Sequence, residues 1–202
     1  MRVVFVVLAL IFGLAGCVQQ YVFNHESSSQ IVEEPQSDKA QIIFLRPSAG
    51  VFAGFNALVF DITDDNDQIV GVASAKSKFL INVDPGTYTF MATEGIKGHV
   101  MQATVEPGQR YYIVVRPIYG QGFQLRPMKN NIDGEFSLES SELQLWLSKT
   151  LIVDKSSGAD DWHASYEEKV QKVKEKAYEV WAEKSDDQRQ LLTIDVKDRV
   201  LY

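Results

Sequence analysis

The sequence has few of the residues on which most catalytic and metal sites depend. It contains one cysteine, Cys17, and three histidines in 202 residues. A single cysteine excludes an internal disulfide and a site made of several thiolates. His25, His99 and His163 lie far apart, and none has the spacing of a known catalytic or metal-ligand motif. We therefore expect no cofactor, no metal and no catalytic centre.

Basic charge is also scarce. Lys and Arg total 20 against 27 for Asp and Glu, which gives a net charge of -7. Loss of Arg2 with an N-terminal leader would make the balance one charge more acidic. This balance argues against a nucleic-acid partner, which requires a basic face.

An acidic cluster occupies one turn of the sequence. Its members are Asp61, Asp64, Asp65 and Asp67. They lack the glycine at position six and the glutamate at position twelve of an EF-hand loop. Because Asp and Asn readily fill turns, the cluster predicts a solvated hairpin tip. A loose calcium site stays open as an alternative.

Residues 1–16 have the layout of a secretory signal peptide. Arg2 supplies a positive charge, residues 3–12 are all apolar, and small residues lead up to Cys17. An apolar core of this length is typical of a cleaved leader. It is too short for a transmembrane helix, which needs about 20 apolar residues.

The end of this leader, Leu14-Ala15-Gly16-Cys17, resembles the lipobox of bacterial lipoproteins. The resemblance implies cleavage between Gly16 and Cys17 and lipidation of the Cys17 thiol, including palmitate. Two or more acyl chains hold a protein stably on a bilayer. Val18 rather than Asp follows the cysteine, which in this family implies the outer membrane, facing the periplasm. A plain secreted protein stays the alternative.

The remaining chain divides into three parts by composition. Residues 17–38 are mostly polar after the cysteine, as in Ser27-Ser28-Ser29 and Glu33-Glu34, and predict a flexible tether. Residues 39–155 predict a β-sandwich domain, and residues 156–202 predict a helical extension.

The pattern of residues 39–155 is one of short apolar runs separated by turn residues. The predicted strands are residues 39–46, 56–63, 68–75, 78–83, 87–93, 99–105, 110–118 and 122–128, with residues 150–153 as a further candidate. Short strands at near-regular spacing indicate an antiparallel sandwich of about seven or eight strands. Pro85-Gly86 and Pro107-Gly108 predict type II turns between them.

Two helices are predicted near the C-terminus. Ser141 and Gln144 resemble a capping box and predict a short helix over residues 141–148. After a linker at residues 156–158, Asp160 or Asp161 caps a longer amphipathic helix. Its apolar stripe consists of Trp162, Tyr166, Val170, Val173, Ala177 and Val180. We expect this stripe to dock on its own domain rather than on a partner.

Three segments carry a family resemblance over residues 40–117. They are residues 42–47, 83–88 and 105–114, and in the last two a proline-glycine turn precedes tyrosine. They resemble a bacterial lipoprotein family known only as domain of unknown function 2846. The same pattern is similar to carboxypeptidase-regulatory and PEGA-type β-sandwich modules. The resemblance implies a surface-tethered sandwich without assigned catalytic residues.

Arginine precedes proline three times, at Arg46, Arg116 and Arg126, each time at the end of an apolar run. A hairpin between the second and third would bring two like charges together, which destabilises a sheet. We therefore expect an anionic group nearby. The favoured source is an internal carboxylate such as Asp133 or Glu135. The other is a carboxylate or phosphate ligand from the envelope, held by bidentate arginine.

Three classes of function are compatible with these features. The leading one is a non-catalytic interaction or scaffold module, anchored to the membrane and presented to an envelope protein. The second is a ligand-binding module in which Tyr111, Tyr112 and Tyr119 line a groove with the arginines. An enzyme is the third.

Overall fold

A computed structural model describes residues 21–48, 50–64 and 67–200. The predicted leader and Cys17 lie outside the described residues. Within them, eleven strands form two packed sheets, and the longest helix follows near the C-terminus. The chain is therefore mainly β, a sandwich with a C-terminal helix, as predicted.

The eight predicted strands correspond to β2–β9, with ends that agree to within two residues. The strands are β1 (Asn24–Glu26), β2 (Ala40–Arg46), β3 (Ala57–Asp61), β4 (Gln68–Ala73), β5 (Ser77–Val83), β6 (Gly86–Thr93), β7 (Gly98–Val105), β8 (Arg110–Ile118), β9 (Gly122–Pro127), β10 (Leu151–Lys155) and β11 (Thr193–Ile194). The helices are α1 (Ser141–Lys149), α2 (Ser157–Ala182) and α3 (Asp186–Gln190). The first sheet has the order β1-β10-β5-β2-β8-β9, and the second has the order β11-β7-β6-β3-β4.

Strands β2 and β8 form a parallel pair inside the first sheet, and both faces of this pair are buried. Phe44 and Ile113 point into the core between the sheets. Ile43 and Leu45 point to the other face, where Leu143 of α1 covers them. Burial on both faces explains why β2 is a continuous apolar run instead of an alternating one.

Aromatic packing joins the two sheets. Phe79 stacks on Phe44 with ring centroids 4.7 Å apart, and Phe44 meets Phe90 of the second sheet at 5.6 Å. Gly71 makes room for this stack, because a Cβ atom there would lie 2.2 Å from the Phe79 ring. The pairing of β3 with β4 also shifts next to Gly71, as in a β-bulge.

Helix α2 packs on the outer face of the second sheet. Its buried residues are Ala159, Val170, Val173, Ala177 and Trp181. The backbone leaves helical geometry at Tyr166 (φ -127°, ψ 19°). Tyr166 at this kink is exposed, and near the end of the helix Trp181 is buried while Val180 is exposed, so the predicted stripe is correct only in part. Its docking on the chain's own domain is confirmed.

The helix starts differ from the predicted ones. Ser156 is the N-cap of α2, so the predicted linker at residues 156–158 contains its first turn. The N-cap of α1 is Ser140, whose hydroxyl accepts a hydrogen bond from the Leu143 N–H. Its cap thus lies one residue before the predicted one.

The two Pro-Gly turns differ from each other. Gly108 has φ of 68°, the left-handed conformation that a type II turn requires of its third residue. Gly86 has φ of 159° and belongs to extended strand β6. The type II prediction therefore holds at the second turn only.

Residues 21–38 lie against the domain, which corrects the predicted flexible tether. Strand β1 pairs with β10, and the Gln30 side chain both donates to and accepts from the main chain of Ile152. The Glu33 carbonyl accepts a hydrogen bond of 2.6 Å from Arg110. The polar composition predicted exposure, but a polar segment can also satisfy the open edge of a sheet.

The C-terminal residues belong to the same folded unit as the sandwich. Strand β11 adds to β7, and Asp198 forms a buried ion pair of 2.8 Å with Lys129. Residues 156–200 are thus part of the domain and not an appended extension. No helix within the described residues is long and apolar enough to cross a bilayer.

Gly71→Ala should destabilise the fold by about 1 to 3 kcal/mol, because the added methyl group overlaps the Phe79 ring. Gly54→Ala is the matched control, since a Cβ atom there meets nothing within 4 Å. Urea denaturation of both variants measures the difference. Equal stability of the two variants would contradict the packing described for the sheet interface.

Candidate functional site

The β8–β9 hairpin brings Arg116 and Arg126 onto one face, as predicted. Arg126 pairs with Val114 and Arg116 pairs with Gln124, so the two arginines are diagonal neighbours on the outer face of the first sheet. Both guanidinium groups lie against the ring of Phe136, with Cζ-to-centroid distances of 5.3 and 5.0 Å. Cation–π attraction acts at this range.

Each arginine is held by a neutral acceptor. Nε and Nη2 of Arg116 donate to the Gln124 side-chain oxygen at 3.0 and 2.8 Å. Nη1 of Arg126 donates to the Leu191 carbonyl at 2.7 Å. Nε of Arg126 is buried and has no partner among the described residues. Burial lowers the pKa of Arg126, and the positive charge of Arg116 lowers it further.

No internal carboxylate forms an ion pair with Arg116 or Arg126 within the described residues. The arginines that form ion pairs there are Arg110, Arg189 and Arg199. Glu135 acts on Arg126 electrostatically, raising its pKa, but it is exposed to solvent and makes no ion pair with it. The expected anionic neighbour is thus present in Glu135, but neither Glu135 nor Asp133 forms an ion pair with the two arginines among the described residues.

Two adjoining pockets open beside the arginines, and we call them together the arginine cleft. The polar pocket has a volume of about 180 Å³ and is lined by both arginines with Lys184 and Gln188. The larger pocket has a volume of about 360 Å³ and is lined by Arg116, Glu135, Phe136, Leu145, Trp146 and Lys149, among others. The cleft thus joins a cationic part to a mostly apolar wall.

Contacts between a loop and helix α1 build the apolar wall. The Phe136 carbonyl accepts a hydrogen bond of 2.8 Å from the Lys129 N–H, and the nearby Leu138 N–H donates to the Lys129 carbonyl at 2.9 Å. Trp146 comes from α1, and its ring lies 6.4 Å from that of Phe136. Sequence spacing carried no signal for either residue, because loop and helix meet only in the folded chain.

Arg46 does not belong to the cleft, which corrects its assignment as a site residue. Its side chain is fully buried at the end of the core. It donates hydrogen bonds to the carbonyls of Phe52, Phe55 and Ala73 at 2.5 to 2.7 Å. The guanidinium also lies 4.5 Å from the centre of the Phe123 ring. Burial lowers its pKa to about 10. Arg46 therefore holds the connection between β2 and β3 against the end of β4.

The three candidate tyrosines do not line a common groove, so that prediction is wrong. Tyr111 points into the core, and its hydroxyl accepts a hydrogen bond from the Glu106 N–H. Tyr112 points to the opposite face beneath α1. Burial raises the pKa of both. Tyr119 is 88% exposed at the hairpin tip. Neighbouring residues of a strand point to opposite faces.

The histidines remain apart in the fold. His25 is exposed on β1, and His163 packs edge-on against Phe60 at 5.1 Å. Nε2 of His99 lies 2.7 Å from the Gln121 carbonyl, and burial lowers the pKa of His99. In the described part of the chain, no three His, Cys, Asp or Glu side chains converge as metal ligands.

The acidic turn is not wholly solvated, contrary to the prediction. Asp67 is buried and receives hydrogen bonds from Gln171 and Lys174 of α2, the latter as an ion pair of 2.7 Å. Asp61 accepts hydrogen bonds from Thr63. Asp67 therefore helps to dock the helix.

Comparison with known proteins adds little to this geometry. No protein-family model matches the chain, and no curated protein matches it. Among solved structures, it is similar to the NMR structure of a protein from Eubacterium rectale, at 15% identity and a TM-score of 0.27. The match covers 48% of this chain and 94% of that one. A likeness this weak supports no argument, and the resemblance to domain of unknown function 2846 stays a prediction.

Arg46→Met should destabilise the fold by about 2 to 4 kcal/mol, because it leaves three carbonyl groups without their donor. The control is Arg189→Met, which removes an exposed ion pair with Asp186 and should cost less than about 1 kcal/mol. Chemical denaturation compares the two. A similar loss in both variants would refute the structural role of Arg46.

Proposed function

We propose that this chain is an exported lipoprotein, anchored through Cys17, whose arginine cleft binds an anionic group on a partly apolar ligand of the cell envelope. One observation carries the proposal: two neighbouring guanidinium groups share a face, and in the described residues no carboxylate forms an ion pair with either of them. Like charges held this close oppose folding. A bound anion would relieve that repulsion.

The donors of the cleft suit an oxyanion. Arg116 uses Nε and Nη2 on Gln124, and Arg126 uses Nη1 on Leu191. Their other N–H groups have no partner among the described residues. The planar fork of arginine matches the oxygen atoms of carboxylate and phosphate groups. Lys184 adds a third positive charge at the rim.

The larger pocket indicates that the ligand also has an apolar part. Phe136, Leu145 and Trp146 form an apolar wall of the same pocket that Arg116 lines. A ligand with an anionic head and an apolar part would contact both halves of the cleft. Amphiphiles of this kind are abundant at the membrane where the lipobox-like segment would anchor the chain.

A protein partner is the second candidate function. Leu145 is 46% exposed at the rim of the cleft, and exposed apolar side chains beside cations suit a protein surface with a carboxylate. This scaffold role would use the same arginines. It differs in requiring a surface larger than the cleft.

Calorimetric titration with octyl phosphate and with inorganic phosphate tests the proposal. The protein is the chain from residue 18 onward, which includes all described residues. Arg116→Gln should weaken binding of octyl phosphate by about tenfold or more, because one charge-assisted hydrogen bond contributes about 1.5 to 3 kcal/mol. Inorganic phosphate should bind more weakly than octyl phosphate, since it does not contact the apolar wall.

Arg199→Gln is the matched control for this titration. It removes the same charge, but Arg199 lies in an ion pair with Glu106 and outside the cleft. Affinity should be unchanged in this variant. Equal affinity in wild type and Arg116→Gln, with both proteins folded, would contradict the ligand-binding function.

A further inference from the structure

Four connections lie together at one end of the sandwich, which we call the hairpin end. They follow β2, β4, β6 and β8. Arg46 at the end of β2 donates to carbonyls of both Phe55 and Ala73, so the first two connections meet. Lys97 donates to the Gly120 carbonyl, so the third and fourth also meet. A ring contact of 6.3 Å between Phe52 and Phe123 joins the two pairs.

The tips of these connections expose large apolar side chains. Phe55 is 54% exposed, Ile96 is 67% exposed and Tyr119 is 88% exposed. Lys76 and Lys97 are exposed beside them. Apolar and aromatic tips flanked by lysines are typical of surfaces that enter the interface of an anionic membrane.

The turns at the opposite end have a different character. They present Asp64, Asp84 and Glu106, of which Asp84 is paired with Lys39 and Glu106 with Arg199. Within the described residues, these turns expose no large apolar side chain that could enter the interface of a bilayer. The domain therefore has one end suited to a membrane surface and one end that is not.

The N-terminal segment reaches the domain at the hairpin end. The rings of Tyr21 and Phe23 lie 6.2 Å apart, and Phe23 lies 6.2 Å from Trp162. Trp162 lies against Gly95 of the β6–β7 turn, so closely that a Cβ atom added to Gly95 would lie 3.1 Å from the Trp162 ring. Phe23 also lines a pocket of about 170 Å³ together with Phe55.

This placement sets a short distance between anchor and domain. Cys17 precedes Tyr21 by four residues, which span at most about 14 Å when fully extended. The segment after Tyr21 cannot lengthen the connection, because β1 and Gln30 hold it on the sheet. A lipid on Cys17 would thus hold the hairpin end close to the bilayer surface.

We propose that the hairpin end docks on the lipid bilayer through Phe55, Ile96 and Tyr119. The inference rests on the proposed lipid anchor at Cys17 and identifies which surface of the domain meets the membrane. The arginine cleft lies on the outer face of the first sheet. Its larger pocket reaches the hairpin end at Pro47 and Ser48, and the polar pocket is lined by β8, β9 and the α2–α3 junction.

The full lipidated chain, in vesicles of phosphatidylethanolamine and phosphatidylglycerol, tests this orientation. The lipid occupies Cys17, so an introduced cysteine is the only free thiol and accepts one environment-sensitive fluorophore. Probes are placed by Ile96→Cys and Tyr119→Cys, and the control Asp64→Cys places one at the opposite end. Emission from the first two should shift to the blue and be quenched by spin-labelled lipid. The control should show neither effect.

The outcomes separate this inference from the proposed function. The mass of the purified chain reports whether Cys17 carries lipid. A lipidated, vesicle-bound chain whose probes at positions 96 and 119 remain as hydrated as the probe at 64 overturns the docking and leaves the anchor intact. A probe shift that requires an added membrane protein also overturns it, in favour of a protein partner. A chain without lipid overturns the anchor itself and this inference with it.

Discussion

The parallel pairing of β2 with β8, buried on both faces, is the constraint on which the rest of the structure depends. One face of the pair needs the second sheet, and the other needs α1 and the segment that carries Phe136. A two-layer sandwich would leave Ile43 and Leu45 in water. The chain therefore builds a further layer on the first sheet, and the arginine cleft lies at the border of that layer.

Buried cations complete this arrangement at the ends of the strands. Arg46 donates to three carbonyls, and Lys78 donates to the carbonyls of Leu147 and Thr150 at the end of α1. A buried charge is tolerated only with such partners. Arg116 and Arg126 differ because they lie at the edge of the first sheet. There, in the described part of the chain, Arg126 donates to one carbonyl, that of Leu191, and Arg116 donates only to the side chain of Gln124.

The sequence predicted the features that depend on local pattern. Strands β2–β9 follow from short apolar runs and Pro-Gly turns, and the meeting of Arg116 with Arg126 follows from one hairpin. Features that depend on distant pairing were missed, such as β1 on β10, β11 on β7 and the docking of Asp67 on α2. The kink at Tyr166 had no local signal either, since neither proline nor glycine occurs there.

The central claim is that residues 21–38 belong to the folded domain, because both the position of the anchor and its closeness to the hairpin end follow from it. Hydrogen–deuterium exchange of the chain from residue 18 onward tests this most directly. The Ser27 amide, which donates to the Ile152 carbonyl at 2.9 Å, should exchange far more slowly than in an unfolded peptide. Unprotected exchange throughout residues 21–38 would show a free tether and contradict the account.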